Sequence, residues 1–525
     1  MADALKNPAP RSRASRWLAL LCAALMISPP ALAPGWAQNR LPGLGDQISD
    51  SFGVGTEAKL GEQIMRQIRV DPDYIDDPVL LEYVQSLWNP LLAAARRRGD
   101  IEAELEQKFG WEIFLVRDRS VNAFALPGGY VGVHLGLISM TATRDELASV
   151  LAHEMTHVTQ RHIARGMVNS KRQSIMSVAA IILGVLAATR SNGRAGDGAN
   201  AVIAGGQALA VQGQLNFSRD MEREADRIGF LVMSDAGFAP GGMAAMFEKL
   251  DLASRLNDSG GYPYLRSHPL STERIGEARG RLGAAAPVAP VSVLAHSAAQ
   301  ARARVLMDPR ATALERWENQ TVVPSQPVAD QLITAYSKGL AATLRRDWAR
   351  ADEAIDLALG LVRGSPRSDA AAERSVVLLA VESQLERGNP ARAGELLKPY
   401  VDTAAESRPV LLLAAQISLA SKDRAVLQSM SDELQTWTSL HPKDAAAWVL
   451  LSRLWGQMGF KLRALRAEAE SRIALGDYNG AVDRLRAGQR LAKGARTADF
   501  IEASVIDARL RDIERLRRLD ERPEG

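Results

Sequence analysis

The stretch LAHEMTHVTQRH, residues 151–162, contains two histidines four positions apart with a glutamate beside the first, the pattern HExxH. In a helix, residues i and i+4 share a face, so His153 and His157 can point at one metal ion. Neutral imidazoles are common ligands of tetrahedral Zn²⁺. Glu154 lies about 100° further around the helix, which places its carboxylate beside a zinc-bound water rather than on the metal. The pattern also occurs by chance on charged helices, so the rest of the chain has to complete the site.

The motif is expected inside a helix that follows a small β-region. Residues 143–167 form one strong helical pattern, which opens with Thr143 as an N-cap and has acidic residues in its first turn. A PGG turn divides the apolar segment before this helix. The other elements expected before the motif are helices over 55–70 and 78–98 and strands over 111–118 and 122–138.

A third metal ligand is predicted from a later helix. One class of HExxH enzymes uses a histidine ten residues after the first, but that position is Ile163 in this chain. A second class uses a downstream glutamate, with an aspartate four residues further on that orients a ligand histidine. The sequence MEREAD offers Glu222 and Asp226 at this spacing, on one face of a helix. Glu222 is therefore the predicted ligand, and Asp226 the carboxylate that fixes a ligand imidazole from behind.

Two further residues near these motifs are given structural roles. Glu224 is the competing choice of ligand, but it is only two residues from Asp226, faces another way and is interpreted as an exposed charge. His162 follows His153 by nine residues, which turns it to the opposite face of a continuous helix. We therefore expect His162 to pack within the protein rather than to bind the metal.

The first 37 residues have the pattern of a cleaved secretory signal peptide. A basic start precedes the apolar run at 17–27, and small residues precede a cleavage point after Ala37. An uncleaved N-terminal anchor is the alternative. The only cysteine, Cys22, lies inside the apolar run, so the exported chain would have no thiol, which excludes disulfides and cysteine catalysis. Such a chain is compatible with the oxidising periplasm, where we expect it.

Length and composition indicate a helix-rich protein of two or more domains. The chain has 525 residues, of which 46% are hydrophobic, 24% charged and only 5% aromatic. Residues 1–37 carry the basic excess, because without them Lys+Arg and Asp+Glu both number 60. This balance gives no indication of a nucleic-acid partner.

Two segments after the motif helix have distinct compositions. Residues 175–211 contain two apolar runs, each too short to span a bilayer. A buried helical hairpin is the favoured interpretation, and a lid or a surface that contacts a membrane or a client protein is the alternative. Residues 283–329 are expected to form a linker and a connecting helix, beginning with the sequence GAAAPVAPVSV.

From about residue 330 the sequence repeats a helical theme. Three times, an Asp or Asn precedes a Trp, Pro or Tyr, and an alanine follows three residues later, at Ala351, Ala393 and Ala481. This pattern resembles degenerate tetratricopeptide (TPR) repeats, whose stacked helix pairs form a solenoid with a concave binding face. A non-repetitive helical bundle is the alternative. The prediction for residues 330–525 is a TPR-like helical repeat domain.

Three motifs in order, HEMTHVTQRH, SRDMEREADRIG and SHPLSTERI, resemble those of the BepA-type periplasmic zinc metallopeptidases, relatives of the HtpX and CAAX-prenyl-protease group. The signal sequence before them and the repeats after them are similar to the same architecture, so the resemblance covers essentially the whole exported chain. It implies one Zn²⁺ per chain bound by His153, His157 and Glu222, with Glu154 as general base. The implied fold is mainly α, with a zincin-like α+β metallopeptidase domain over residues 50–282 followed by an α-solenoid.

The resemblance also implies a role for His268, in the sequence SHP. As a fourth ligand it would displace the catalytic water and latch the enzyme, since a catalytic zinc site keeps one position open. If His268 moved away from the metal, His268 or Arg274 could stabilise the oxyanion that forms on the substrate carbonyl. A loop histidine beside Pro269 is the structural alternative.

An extended peptide commonly binds such sites by adding a strand to an exposed sheet edge. The candidate edge strand comes before the motif helix and before a Gly-rich turn. The alternative is that this segment is an ordinary core strand. It comprises Asn122, Ala123, Phe124 and Ala125.

By this resemblance, the protein would be an exported zinc endopeptidase in quality control and assembly of outer-membrane β-barrel proteins. It would cleave stalled or misfolded clients by means of a zinc-activated water. Its repeat domain would bind those clients or the β-barrel assembly machinery. The alternative is mainly a chaperone or assembly scaffold, whose peptidase site is latched most of the time.

Overall fold

The computed structural model describes residues 52–169, 218–256, 262–283, 293–403, 406–493 and 500–520. The predicted signal peptide with Cys22, and the apolar segment 175–211, lie outside these residues. Within the described parts of the chain, no helix is both long enough and apolar enough to cross a membrane.

The first half of the described chain contains one small sheet among helices. Its elements are α1 Val54–Arg69, β1 Tyr74–Ile75, α2 Pro78–Arg98, α3 Ala103–Lys108, β2 Glu112–Val116, β3 Ala123–Leu126, β4 Tyr130–His134, α4 Leu135–Met140, α5 Arg144–Thr159, α6 His162–Asn169, α7 Arg219–Asp235, α8 Gly241–Leu256, α9 Tyr264–Ser267 and α10 Thr272–Arg281. Helices α1 and α2 confirm the two helices expected over 55–70 and 78–98.

The sheet has four strands in the order β1-β2-β4-β3. Strands β2 and β4 are parallel, and the two outer strands are antiparallel to their neighbours. The predicted PGG turn joins β3 to β4, and its glycines Gly128 and Gly129 have φ angles of 78° and 89°, which favour glycine. Strand β3 is therefore an edge of this sheet, whereas β4 lies inside it and is buried at all five positions.

Helix α5, which contains the HExxH motif, is the central helix of this half. It packs against β3, β4, α2, α7 and α8. The Thr143 hydroxyl accepts a hydrogen bond from the Glu146 N–H at 3.2 Å and caps the helix as expected. Every residue from Asp145 to Thr159 is buried, so the polar side chains of the motif need partners inside the protein.

The strand expected over 122–138 is wrong in its last part. Strand β4 ends at His134, and the chain continues directly into the short helix α4. Residues Leu135 to Ile138 are all buried. An apolar run that is buried on every side shows no period, so the sequence could not distinguish a strand from a helix there.

The single helix expected over 143–167 is also wrong, because the chain breaks between α5 and α6. Arg161 has a φ angle of 51°, in the left-handed region that non-glycine residues rarely occupy. Its guanidinium donates to the Glu57 carboxylate and to the Phe52 carbonyl oxygen, both at 2.8 Å. These contacts with the start of the chain's first described helix hold a break that no Gly or Pro marks.

The second half is helical throughout its described residues. Its helices are α11 Leu294–Leu306, α12 Ala311–Glu318, α13 Val328–Arg345, α14 Trp348–Arg363, α15 Ala370–Glu386, α16 Pro390–Val401, α17 Arg408–Leu419, α18 Arg424–Leu440, α19 Ala445–Gln457, α20 Lys461–Ala474, α21 Tyr478–Ala492 and α22 Phe500–Asp520. Consecutive helices pack in pairs, as in a TPR-like arrangement.

The repeated sequence theme corresponds to one local structure. In each case the Asp or Asn side chain accepts a hydrogen bond at the N-cap of a helix, and the alanine is fully buried against a neighbour. The three pairs are Asp347 with Ala351, Asn389 with Ala393, and Asp477 with Ala481.

Helix α11 joins the two halves. It packs against α2 and α4 on one side and against α13 and α15 on the other. Its buried Arg302 donates to Asp77, the N-cap of α2, at 2.7 Å and to Glu382 of α15 at 2.7 Å. The fold is thus mainly α, as expected, with one small sheet followed by helix pairs.

Candidate metal centre

Four buried side chains from three parts of the chain converge on one point. They are His153 and His157 from α5, Glu222 from α7, and His268 just after α9, with one possible ligand atom of each within 4.8 Å of the others. The Nε2 atoms of His153 and His157 are 3.0 Å apart, and each is 3.5 Å from an oxygen of Glu222. The structure therefore brings together the three predicted ligands and the predicted latch residue.

Helix α7 presents Glu222 to this point through its first turn and through a close helix contact. Ser218 caps the helix by accepting from the Met221 N–H at 3.2 Å. An acidic side chain in the first turn is favoured by the helix dipole. One helix turn beyond Asp226, Gly229 lies so near α5 that a Cβ atom there would be 3.2 Å from the backbone of Ala152.

Glu154 lies beside the ligand group rather than in it. Its Oε2 accepts a hydrogen bond from the Ala125 N–H at 3.0 Å, and its Oε1 is 3.4 Å from His268 Nε2. The side chain is fully buried, and burial raises the pKa of Glu154 above its ordinary value. A raised carboxyl pKa suits a group that takes up and releases a proton near neutral pH.

Asp226 and Arg274 support the ligands from behind. Asp226 Oδ1 is 3.0 Å from His153 Nδ1. The Arg274 guanidinium donates to both oxygens of Asp226, at 2.7 and 2.8 Å, and is 2.9 Å from Glu222 Oε2. Its remaining bond is to the Pro269 carbonyl oxygen at 2.9 Å. Arg274 is thus directed at the two carboxylates.

The electrostatics of the group favour positive charge between its ligands. Burial opposes protonation of His153, but the nearby carboxylates of Asp226 and Glu222 together outweigh burial and raise the pKa of His153 to about 10. Burial alone would raise the pKa of Glu222, yet the neighbouring His268 and His153 lower it. Burial and the charge of His153 lower the pKa of His157. Three imidazoles and one carboxylate fit a transition metal ion such as Zn²⁺.

His162 is buried, as expected, and is not among the grouped ligand atoms, but the contacts of His162 and Glu224 differ from the prediction. The break before α6 brings His162 Nδ1 to 2.9 Å from His157 Nδ1, so the predicted position on the opposite face is wrong. Glu224 is only partly exposed, and its Oε2 is 3.0 Å from His162 Nε2 and 2.8 Å from Arg165 Nη1. The sequence did not indicate the helix break. It therefore could not indicate the contacts of His162 with His157 and Glu224, which depend on that break.

The candidate substrate strand lies against the site. The His134 N–H donates to the Asn122 carbonyl oxygen at 3.1 Å, so Asn122 and Phe124 bond towards β4. The backbone groups of Ala123 and Ala125 therefore point away from β4, because alternate residues of a strand bond in opposite directions. The contact from Ala125 to Glu154 follows this direction.

Comparison with known proteins agrees with this geometry. Residues 85–282 match the model of peptidase family M48. The chain is 30% identical to a putative beta-barrel assembly-enhancing protease of Vibrio cholerae over 476 residues, which cover 88% of this chain and 90% of that protein. It is 28% identical to the beta-barrel assembly-enhancing protease of Escherichia coli K12 over 510 residues, 96% and 97% of the two chains.

A shorter similarity links this chain to a mitochondrial metalloendopeptidase. The mitochondrial metalloendopeptidase OMA1 of Saccharomyces cerevisiae is 31% identical over 199 residues, which cover 37% of this chain and 53% of that protein. The family model covers a similar length of this chain, whereas the alignments with the longer relatives extend over most of it. This chain therefore belongs to peptidase family M48 and is a metalloendopeptidase.

Proposed function

We propose that this protein is an exported zinc endopeptidase that acts in quality control and assembly of outer-membrane β-barrel proteins. The observation that carries the proposal is the buried group of His153, His157 and Glu222 beside Glu154. It is supported by near full-length similarity to proteases named for β-barrel assembly. Stalled or misfolded β-barrel proteins would be its clients. The periplasm would be its compartment, reached by cleavage of the signal peptide after Ala37.

His153, His157 and Glu222 are the proposed ligands of one Zn²⁺. When bound, the ion would polarise a peptide carbonyl and make a water molecule more acidic. Asp226 faces His153 Nδ1 and so fixes the tautomer whose Nε2 lone pair points into the ligand group. Arg274 forms ion pairs with both Glu222 and Asp226 and so holds these two carboxylates in place.

Glu154 is the proposed general base. It would take a proton from the attacking water and later pass it to the leaving amine. The Ala125 N–H fixes one carboxylate oxygen, and the other lies 3.4 Å from His268, on the side of the ligand group. Burial keeps bulk water from this carboxylate and raises its pKa, which favours uptake of a proton from the attacking water.

The proposed substrate-binding strand is β3 with the residue before it, Asn122 to Ala125. An extended peptide would pair with the outward backbone groups of Ala123 and with the carbonyl oxygen of Ala125, as an added strand of the sheet, while the Ala125 N–H stays bonded to Glu154. The contact between Ala125 and Glu154 would place the scissile bond beside the base. Such pairing uses backbone groups, so it would accept many sequences.

The helical repeats over 330–525 would bind clients or the β-barrel assembly machinery. Residues 175–211 remain a candidate for contact with a membrane surface or a client.

A second function, mainly as a chaperone or scaffold with a latched peptidase, is favoured by one contact. His268 Nδ1 lies 2.9 Å from Glu222 Oε1 and 3.3 Å from His153 Nε2, where it can act as a fourth ligand. A closed ligand set would exclude the attacking water.

The proposal is tested by Glu154→Gln in the exported protein. We expect cleavage of an unfolded β-barrel protein to fall by at least about 100-fold, since general-base catalysis contributes 10²–10⁴. Zinc content should stay at one per chain, while Glu222→Ala should lose it. Glu104→Gln, the same change at an exposed position, is the control. Normal cleavage by Glu154→Gln, or full zinc in Glu222→Ala, would contradict the assignment.

His268→Ala separates the two roles proposed for His268. We expect peptidase activity to rise several-fold, because removal of a fourth ligand opens a position for water. A fall in activity would instead support a role in oxyanion stabilisation. Client assembly that survives Glu154→Gln would show that scaffold and peptidase functions are separable.

A further inference from the structure

We propose that His162 and Glu224 form a relay that positions His157 within the ligand group. The inference rests on the proposed function, in which His157 is a metal ligand. His162 Nδ1 is 2.9 Å from His157 Nδ1, and His162 Nε2 is 3.0 Å from Glu224 Oε2. Both imidazoles are completely buried. The edge of the His157 ring that faces away from the ligand group thus lies against a second histidine.

This contact exists because of the helix break. In a continuous helix, residue 162 would lie about 140° around the axis from residue 157 and could not reach its ring. The left-handed conformation of Arg161, at φ 51°, turns the chain back towards His157. A non-glycine residue in such a conformation is strained and needs compensating contacts. Glu57 and the Phe52 carbonyl oxygen provide them, at 2.8 Å each.

The hydrogen positions along the relay follow from one requirement. The Nε2 of His157 faces the ligand group, 3.0 Å from the corresponding atom of His153, so a metal bond requires a lone pair on it. A neutral imidazole then has its hydrogen on Nδ1. His157 Nδ1 must therefore donate to His162 Nδ1, which accepts. His162 has its own hydrogen on Nε2 and donates it to Glu224.

The opposite arrangement would disable the ligand. If His162 Nδ1 donated, His157 Nδ1 would accept, and the hydrogen of His157 would lie on Nε2, where it blocks a metal bond. Glu224 prevents this arrangement because a carboxylate only accepts, and Arg165 Nη1 at 2.8 Å stabilises its charge.

The relay corresponds to a simpler one on the other ligand histidine. His153 Nδ1 faces Asp226 directly at 3.0 Å, whereas His157 reaches Glu224 through one intervening imidazole. Helix α7 thus provides a ligand, Glu222, and the terminal carboxylates of both relays within five residues. Carboxylates behind ligand histidines typically change metal affinity by 10–100-fold.

Two substitutions of His162 by amide side chains distinguish a positioning role from simple packing. His162→Asn places a carbonyl oxygen near the position of Nδ1 and keeps an acceptor for His157. His162→Gln places its amide near the position of Nε2 and keeps a partner for Glu224, but removes the acceptor. We expect His162→Gln to weaken Zn²⁺ binding by 10–100-fold in a chelator competition and to shift the absorption spectrum of the Co²⁺-substituted protein. His162→Asn should stay within about threefold of wild type.

Glu224→Ala gives a second measurement at a partly exposed position. We expect it to weaken Zn²⁺ binding about tenfold, with little change in the melting temperature of the metal-free protein. Asp220→Ala, which removes one exposed charge from the same helix, should bind Zn²⁺ like wild type. Equal affinities for His162→Asn and His162→Gln, or a wild-type affinity for Glu224→Ala, would overturn the relay while wild type still binds Zn²⁺. Absence of Zn²⁺ binding in wild type would overturn the proposed function and the relay together.

Discussion

Arg274 brings a permanent positive charge to two buried carboxylates, Asp226 and Glu222. It is buried, binds Asp226 through two parallel hydrogen bonds and lies 2.9 Å from Glu222. Only a guanidinium has donors in this planar geometry, so lysine cannot replace it. Without it, two buried carboxylates would lie close together with less positive charge to balance them.

We therefore expect Arg274→Leu to lower the free energy of unfolding of the metal-free protein by about 3–5 kcal/mol, the usual cost of an uncompensated buried charge. Urea unfolding followed by circular dichroism measures it. Arg279→Leu is a matched control in the same helix, because its ion pair with Glu248 is largely exposed and such pairs contribute less than about 1 kcal/mol. Similar losses in the two variants would contradict this role of Arg274.

The contact between α7 and α5 determines how near Glu222 comes to the motif histidines. A Cβ atom on Gly229 would lie 3.2 Å from the carbonyl group of Ala152 and from the His153 nitrogen. These are backbone atoms of a helix that is buried along its length, so they cannot move aside individually. The absence of a side chain at residue 229 therefore sets the spacing between the two helices.

Gly229→Ala tests this spacing. We expect a net loss of about 1–2 kcal/mol in unfolding free energy, since overpacking costs about 1–3 kcal/mol and exceeds the gain in helix propensity. Gly276→Ala in α10 is the control, because no described atom lies within 4 Å of its added Cβ. That variant should gain up to about 1 kcal/mol. Stabilisation by Gly229→Ala would show that the helices are not held by this contact.

The sequence predicted those features of the helices that depend on residues close together in the chain. The motif helix begins at its predicted cap, Thr143, and the repeats begin at capping residues such as Asp347. The i,i+4 rule also predicted that His153 and His157 share a face, and the structure gathers them with Glu222. These features follow from helix geometry alone.

What the sequence could not predict depends on contacts between distant residues. The break at Arg161 is held by Glu57, more than a hundred positions earlier. The pairing of His162 with Glu224 exists only because of that break. Helix α4 was missed because burial on all sides removes the alternation that would identify it.

The two halves of the molecule are joined by ion pairs beside a cleft of about 1120 Å³. Arg408 of α17 donates to both oxygens of Asp76, at 2.6 and 2.7 Å, and to both oxygens of Asp444, at 2.8 and 2.9 Å. Asp444 is also the N-cap of α19. This contact between the peptidase half and the repeats therefore depends on ionised carboxylates.

Acid should weaken this contact in a defined range of pH. Burial would raise the pKa of Asp444, but its hydrogen bonds with Arg408 and Trp437 lower it below the ordinary value. A depressed pKa adds stability above the unfolded pKa of about 4 and loses it as the pH falls through the folded pKa. We expect Asp444→Asn, which keeps a cap oxygen, to lower the melting temperature at pH 7, with a difference that shrinks below about pH 4.

Melting temperatures of wild type and variant between pH 2 and 7 measure this effect. Asp423→Asn is the control, because Asp423 caps α18 at an exposed position. It should show a small difference that is the same at every pH. A pH-independent deficit in Asp444→Asn would contradict an electrostatic contribution from Asp444.

Asp77 completes its buried contacts only with a residue that lies much later in the chain. Its carboxylate caps α2 and also binds Arg302, which is synthesised 225 residues later. Glu382, the other partner of that buried guanidinium, is synthesised later still. Chains truncated at residue 283 should therefore be cleaved near residue 77 in limited proteolysis. We therefore expect the peptidase half to reach its full stability only when α11 and the repeats are in place.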